Sequence, residues 1–484
     1  MDFFIAGYCR ILQDIAGYCR ILQDNFLMED LLQLIKNHES KILEFKRDLS
    51  SILPILKTIV AFANTAGGTL IIGISSEHKV IGVKNVSLAE EMLANVIADS
   101  IFPSILPEIE IATVQKKTII VIKVPHWRGP FYLKKEGTPN GVYIRLGSTS
   151  RPAGPEMIEE LKRSVTNLSY DQQGIPELTL KALNFDQIRE VFNAAKREID
   201  EKKCHSLGIV TCVSDKVVPS IGGLILFGTE EFRNKYVPDA RVRCARFRGV
   251  DKAHIIDQFE VEGTILDAIL EVPKFIARNT RLGADFQHFR RKDIPEYPEL
   301  AIREVLINAL VHADYAIGGS TIQVAVFDNR LEIQNPGMLP FGFTLDDLKA
   351  GVSRIRNRVI ARIFHELKLM EEWGSGYKRV IDTCRENHYP EPEWEEFGTS
   401  VRVTFFSFGK NRSLPSVKGQ LSARQQEILS LLRGTKNMSF KAIVEKLSEP
   451  VSDRMLRYDL AELKKRGLLT SLGKGRSTVW QSHT

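Results

Sequence analysis

The sequence predicts a multidomain α+β protein that ends in a separate, basic, mostly helical domain. Three observations predict this. At ~100–200 residues per domain, 484 residues are enough for three or four cores. The first part of the chain mixes a helical stretch with several strand-like runs, which is α+β grammar. Charge is also uneven: the net charge is +6, but the stretch from Lys410 to the end carries 15 Lys/Arg against 6 Asp/Glu, a local +9 that leaves the rest at −3. Such a basic end points to an anionic partner, most simply nucleic acid. Polar connectors containing Gly or Pro at 167–178, near Arg290–Pro298 and at 406–422 set the expected division. It runs as an extension over 1–27, a domain over 28–165, an α/β middle region over 178–262, a domain over 263–407 and the basic domain over 421–484.

The extension holds a perfect echo, IAGYCRILQD at 5–14 and again at 15–24. Two helical copies ten residues apart would be rotated by about 80°, so their apolar stripes would not align. The echo reads as a tandem duplication outside the fold, with folded sequence starting near Met28. It has neither the ~18 apolar residues of a membrane span nor a signal-peptide cleavage site. The six cysteines show no C-x-x-C pair and no zinc-finger spacing, so a reducing cytoplasm is the expected setting.

In the 28–165 domain, Pro54 stands at the expected first turn of a helix that Thr65-Ala66-Gly67-Gly68 ends, and Thr69–Ile74 follows as a buried strand. KKTIIVIKVPHW (116–127) and GVYIRLGSTSRPA (141–153) read as further strands. E-S-x-x-x-E-F-K (39–46), F-A-N-T-x-G-G-x-L-x-x-G-I (62–74) and Y-I-R-x-G-S-x-S-R-P-A (143–153) resemble the Schlafen AlbA family of nucleic-acid-binding domains. The resemblance implies contacts to DNA or RNA phosphates by Lys46 and Arg145. Some members cut RNA with three carboxylates, two on an early helix. Glu39 and Glu44 match the first two, but Ser75-Ser76 stands at the third, with Glu77 one step beyond.

In the middle region, IGGLILFGTEEF (221–232) and ARVRCARFRG (240–249) read as strands, and TILDAILEVPKFIARNT (264–280) as an amphipathic helix. YPELAIREVLINALVHADY (297–315) is a strong helix, with Leu300, Val305, Leu306 and Leu310 expected on the core side. Glu304 and Asn308 lie four apart and so emerge on one face. A carboxylate and a carboxamide so placed suit a general base and a Mg²⁺ ligand. His312 on the same helix is expected to be a packed or capping residue. STIQVAVFDNRLEIQNPG (320–337) reads as a hairpin ending in Asn335-Pro336-Gly337. A polar, mobile-looking stretch then runs to Trp373, and Gly374-Ser375-Gly376 opens a helix as a phosphate nest. Gly398-Thr399 leads into a closing strand.

That order of parts resembles the GHKL ATPases, an α/β sandwich also called the Bergerat fold, and the bacterial proteins labelled RecG-like. The resemblance implies ATP and Mg²⁺ as ligands. Glu304 would be the water-activating base and Asn308 the Mg²⁺ ligand. Asn335 and Gly337 would form the adenine side, Gly374, Ser375 and Gly376 the phosphate side, and Thr399 the closing loop. GHKL enzymes usually carry Asp where Asn335 stands; Asn accepts through its carbonyl oxygen without a charge. No P-loop occurs.

The 421–484 domain reads as three short helices and a Gly-containing basic hairpin, the winged-helix plan. Arg454, Arg457 and Tyr458 are expected to face the major groove of double-stranded DNA, with Leu456, Leu460 and Leu463 inward. Lys464, Lys465, Arg466, Lys474 and Arg476 are expected on phosphates. The combined expectation is a cytoplasmic, homo-oligomeric, nucleotide-switched transcriptional regulator, with GHKL-type ATP hydrolysis an open question. The alternative is an ATP-gated Schlafen-type nuclease or RNase, as in phage defence.

Overall fold

The computed structural model describes residues 31–285, 292–370, 376–407, 423–433, 438–447, 451, 455–456, 459–460, 463–464, 469–472 and 479–482. The echo lies outside them. The chain divides into two compact units, residues 1–282 with 294–407, and residues 283–293 with 408–484.

In the first unit, a four-stranded sheet runs in the order Leu43–Lys46, Gly68–Ile72, Lys117–Val124, Glu108–Val114. Its first pair is parallel and the others antiparallel. The helix Ile52–Asn64 packs against the sheet and against the hairpin of Tyr143–Leu146 and Thr149–Pro152. Pro54 falls in its first turn, where no backbone N–H is needed. At its end the carboxamide of buried Asn64 donates to the carbonyls of Phe131 (2.8 Å) and Tyr143 (2.9 Å) and accepts from Phe131 N–H (2.8 Å). A buried amide whose bonds are met in this way fixes two loops to one helix.

The same unit contains a six-stranded sheet in the order Ile255–Glu260, Val242–Phe247, Ile322–Val326, Arg330–Pro336, Ser400–Phe406, Glu393–Phe397. Only the pairing of Val242–Phe247 with Ile322–Val326 is parallel. Two strands from the expected middle region thus belong to the sheet that holds the hairpin. The helices Ile265–Asn279 and Glu299–His312 pack on each other and on this sheet. Val324, Leu331, Ile333, Val403 and Phe405 share one core with Leu306 and Leu310.

Three expectations are corrected here. Residues 221–227 form a helix, not a strand: Ser220 caps it by accepting from Gly223 N–H at 2.8 Å, and the whole run is buried. A short run that is apolar on every side has no period by which helix and strand differ. Leu300 is 72% exposed, while Val305, Leu306 and Leu310 are buried. The stretch from 338 to 370 is structured: it contains the helices Leu345–Lys349 and Arg358–Glu366, the latter burying Val359, Ile360, Ile363 and Phe364. The Asp171 carboxylate takes the N–H groups of Arg358 (3.1 Å), Val359 (2.7 Å) and Ile360 (3.0 Å) at that helix's start, satisfying donors that a helix leaves open.

The second unit holds the helices Ala423–Arg433 and Phe440–Lys446. Its three-stranded antiparallel sheet runs Met438–Ser439, Val479–Ser482, Leu469–Leu472. Ile428, Leu432, Ile443, Leu456, Leu460, Leu463 and Leu469 form its core. Among the described residues, no helix is long and apolar enough to cross a membrane.

Candidate functional site

The Glu299–His312 helix buries Val305, Leu306, Ala309 and Leu310, which turns Glu304 and Asn308, one turn apart, toward a cavity of about 120 Å³. A single water needs only ~10–15 Å³. Asn335 lines the same cavity from the end of the Arg330–Pro336 strand, and Gly376 lines it from the start of the Gly376–Glu386 helix. Four of the expected site residues, from three separate elements, therefore face one space. Its remaining walls are mostly apolar, with Ile333, Val401 and Val403 from the sheet and the rings of Tyr377 and Trp394, whose centroids are 4.7 Å apart. An apolar slot with a few convergent polar groups is how small ligands are held.

Gly376 is there for close approach. A side-chain carbon at this position would stand 2.6 Å from a Glu304 carboxylate oxygen and 3.1 Å from the Asn308 nitrogen. Arg379, one turn into the same helix, donates to Glu304 Oε1 at 3.1 Å. The Asn308 carboxamide makes no hydrogen bond among the described residues, which leaves its oxygen available to a hard cation such as Mg²⁺. Asn335 is 7% exposed; its nitrogen donates weakly to Pro336 O (3.4 Å) and its oxygen accepts no bond among the described residues. His312 also lines the cavity, and burial followed by the nearby Arg356 charge pushes its imidazole down to about 4. It is neutral at pH 7.

Gly337 and Thr399 do not line the cavity. Gly337 adopts φ +97°, against Arg356 and Asp314, and donates its N–H to Thr399 O at 2.9 Å. This backbone bond ties the Asn335-Pro336-Gly337 turn to the start of the closing strand, and the Thr399 side chain is exposed. Gly374 and Ser375 lie outside the described residues. Tyr377, Trp394 and Arg379 went unnoticed in the sequence. For Tyr377 and Arg379 a signal is present, since both lie within the first turn after Gly374-Ser375-Gly376.

The Schlafen-like motifs resolve differently. Glu44 lies in the Leu43–Lys46 strand, not on a helix, and it is buried. One of its oxygens is 2.9 Å from the Arg145 guanidinium and the other is paired with Lys46. Arg145 also donates to Ser40 O (2.6 Å) and lies over the Phe62 ring, 5.0 Å from its centroid. At 1% exposure, Arg145 belongs to the domain's frame, and a phosphate could reach it only by breaking a buried ion pair. Lys46, with its side chain 27% exposed, keeps a route to solvent. Glu39 accepts Phe45 N–H at 3.0 Å, while Glu77 is exposed and paired with Lys79 at 2.6 Å. Among the described residues, no group of three or more His, Cys, Asp or Glu is placed to hold a metal ion.

In the second unit, Lys464 is exposed, with its ammonium 6.0 Å from the Trp480 ring centroid. Arg454, Arg457, Tyr458, Lys465, Arg466, Lys474 and Arg476 lie outside the described residues.

Comparison with known proteins adds two family matches. Residues 39–154 match the model described as "Schlafen, AlbA_2". Residues 319–405 match the model described as "Putative ATP-dependent DNA helicase recG C-terminal", a HATPase_c_4 domain. The second match begins after Glu304 and Asn308. No curated protein matches the chain significantly. Among solved structures, the DIP2311 protein from Corynebacterium diphtheriae aligns over 95% of this chain and 97% of its own, at 18% identity and TM-score 0.43. The N-terminal domain of "Putative ATP-dependent DNA Helicase RecG-related Protein" from Nitrosomonas europaea aligns over 26% of this chain and 92% of its own, at 29% identity and TM-score 0.21. The chain thus joins a segment similar to Schlafen AlbA_2 domains to a segment similar to ATPase domains of the RecG C-terminal type.

Proposed function

We propose that this chain binds ATP with Mg²⁺ and uses the nucleotide to switch its hold on nucleic acid, in transcriptional control. The observation that carries this reading is the convergence of Glu304, Asn308, Asn335 and Gly376 on one mostly apolar pocket. In this reading a purine enters between the sheet side chains and the Tyr377–Trp394 pair, and the open Asn335 oxygen accepts from its amino group. The Asn308 oxygen would hold Mg²⁺, which supplies positive charge to the phosphates. Glu304 takes the proton of an attacking water, a role that requires it to leave Arg379.

The nucleic-acid half of the proposal rests on the basic second unit, whose helices, small antiparallel sheet and single core suit a winged helix. Double-stranded DNA is the proposed partner. A nuclease would need Glu39, Glu44 and Glu77 to share an ion, and each is engaged elsewhere. The test is duplex affinity of the full chain with and without ATP and Mg²⁺. Affinity should change at least several-fold, and identical affinities at saturating nucleotide would contradict a switch.

A further inference from the structure

A second cavity, about 170 Å³, lies in the first unit between the Schlafen-like and ATPase-like domains. Five arginines line it: Arg128 and Arg163 from the first domain, and Arg354, Arg356 and Arg358 from the segment entering the Arg358–Glu366 helix. Among the described lining residues, two carboxylates, Glu160 and Asp314, face them. Among the described residues, Arg356 is the one of the five in ion-pair contact with a carboxylate. Arg358 donates to the Asn167 side-chain and backbone oxygens at 2.8 Å each, Arg163 lies over the Tyr170 ring, and Arg354 is bonded to the Phe341 carbonyl.

Arg356 is the most constrained of the five. Its side chain is 8% exposed, and one nitrogen meets Glu160 at 3.1 Å and Met338 O at 2.8 Å. Its Nε and Nη1 are buried without a partner among the described residues. A buried guanidinium left partly unpaired is costly unless something completes it. Burial also raises the pKa of Glu160, which weakens the compensation available within the protein. His126, in the same wall, is held neutral by burial and by Arg354 and Arg128. The cleft thus carries an excess of three positive charges among its lining residues.

We propose that this cleft binds a phosphate-bearing anion, gripped by Arg128, Arg163 and Arg354 with Arg356 behind them. Guanidinium forks match phosphoryl oxygens in geometry, and a group with nearly two negative charges suits such an excess better than a single carboxylate does. Arg354 and Pro340 line both this cleft and the nucleotide pocket. The anion is therefore either a free phosphate compound or the phosphate end of a nucleotide seated next door. The proposal stands without the ATP reading.

Calorimetric titration of the full chain with sodium pyrophosphate tests it. The parent should bind. Arg354→Gln and Arg128→Gln should each weaken binding about tenfold or more, the loss of one charge-assisted hydrogen bond. Arg128 is exposed, so its replacement leaves the fold intact, and exposed Arg248→Gln, outside the cleft, controls for net charge. Titrations with ATP and adenosine separate the two sources. If the cleft takes the nucleotide's phosphates, pyrophosphate competes with ATP, and Arg354→Gln weakens ATP but not adenosine. If the anion is free, pyrophosphate and ATP bind together. Pyrophosphate binding in a chain that ignores ATP would sink the nucleotide reading and leave this proposal standing. An absence of pyrophosphate binding at millimolar concentration, or equal binding by parent and cleft variants, overturns it.

Discussion

Lys41 and Glu396 meet at 2.8 Å across 355 residues of sequence, and the same Glu396 oxygen accepts the Leu339 N–H at 3.0 Å. Lys41 stands two residues before the first strand of the Schlafen-like sheet. Leu339 lies just past Asn335-Pro336-Gly337 and lines the proposed nucleotide pocket. Its neighbours Met338 and Phe341 pack with Val142, Ile144, Ile158 and Leu161 of the first domain. One short segment is therefore a wall of the pocket and part of the seam between the two domains, so a ligand that moves it acts on both.

Glu396→Ala should destabilise the first unit by about 1–3 kcal/mol, because it strands a half-buried ammonium and a backbone donor together. Hydrogen exchange at the Leu339 amide should quicken in that variant. An unchanged rate would show that the contact does not hold the segment.

Glu44→Ala should cost about 3–5 kcal/mol, since it leaves Arg145 charged, buried and without its carboxylate. Glu77→Ala, on the exposed surface, should stay within about 0.5 kcal/mol of the parent. Urea unfolding of both variants checks the contrast, and equal losses would contradict it.

Burial holds His126 and His312 at about 4, against an ordinary 6.5. Between those values the unfolded chain takes up protons that the folded chain refuses, so stability rises with pH across the window. The contribution is complete above about pH 6.5 and is lost as pH falls toward 4. Each group accounts for at most about 1.4 kcal/mol per pH unit. Replacing His312 by Gln should flatten the acid limb of the stability curve; an unaltered slope would contradict its burial as neutral imidazole.

Duplex binding by the full chain should weaken with salt, with log affinity against log salt sloping near −5 for about five or six phosphate contacts. Lys464→Gln should flatten that slope by about one unit and weaken all sequences alike. An unchanged slope would remove Lys464 from the contact set.

The site was legible in the sequence where chemistry follows local geometry. Glu304 and Asn308 share a face because they are four apart on a helix, and Asn335 closes a strand whose alternation is plain. Tertiary meetings carry no local sign: the Glu396–Lys41 pair, the arginine cleft and the Met338–Phe341 wedge each join segments far apart in sequence. The buried helix at 221–227 was hidden because a run apolar on all sides has no period to read. Arg145 misled for a related reason, since an arginine between Ile and Leu on a strand looks the same whether it faces a phosphate or a buried Glu44.

Whether Glu304, Asn308, Asn335 and Gly376 build a nucleotide pocket is decided by calorimetric titration of ATP with and without Mg²⁺ into the parent, Glu304→Ala and Asn308→Ala. The parent should bind ATP more tightly with Mg²⁺, Asn308→Ala should lose that Mg²⁺ dependence, and Glu304→Ala should keep binding with any hydrolysis abolished. ATP binding that is absent from the parent, or equally Mg²⁺-dependent in Asn308→Ala, would contradict it.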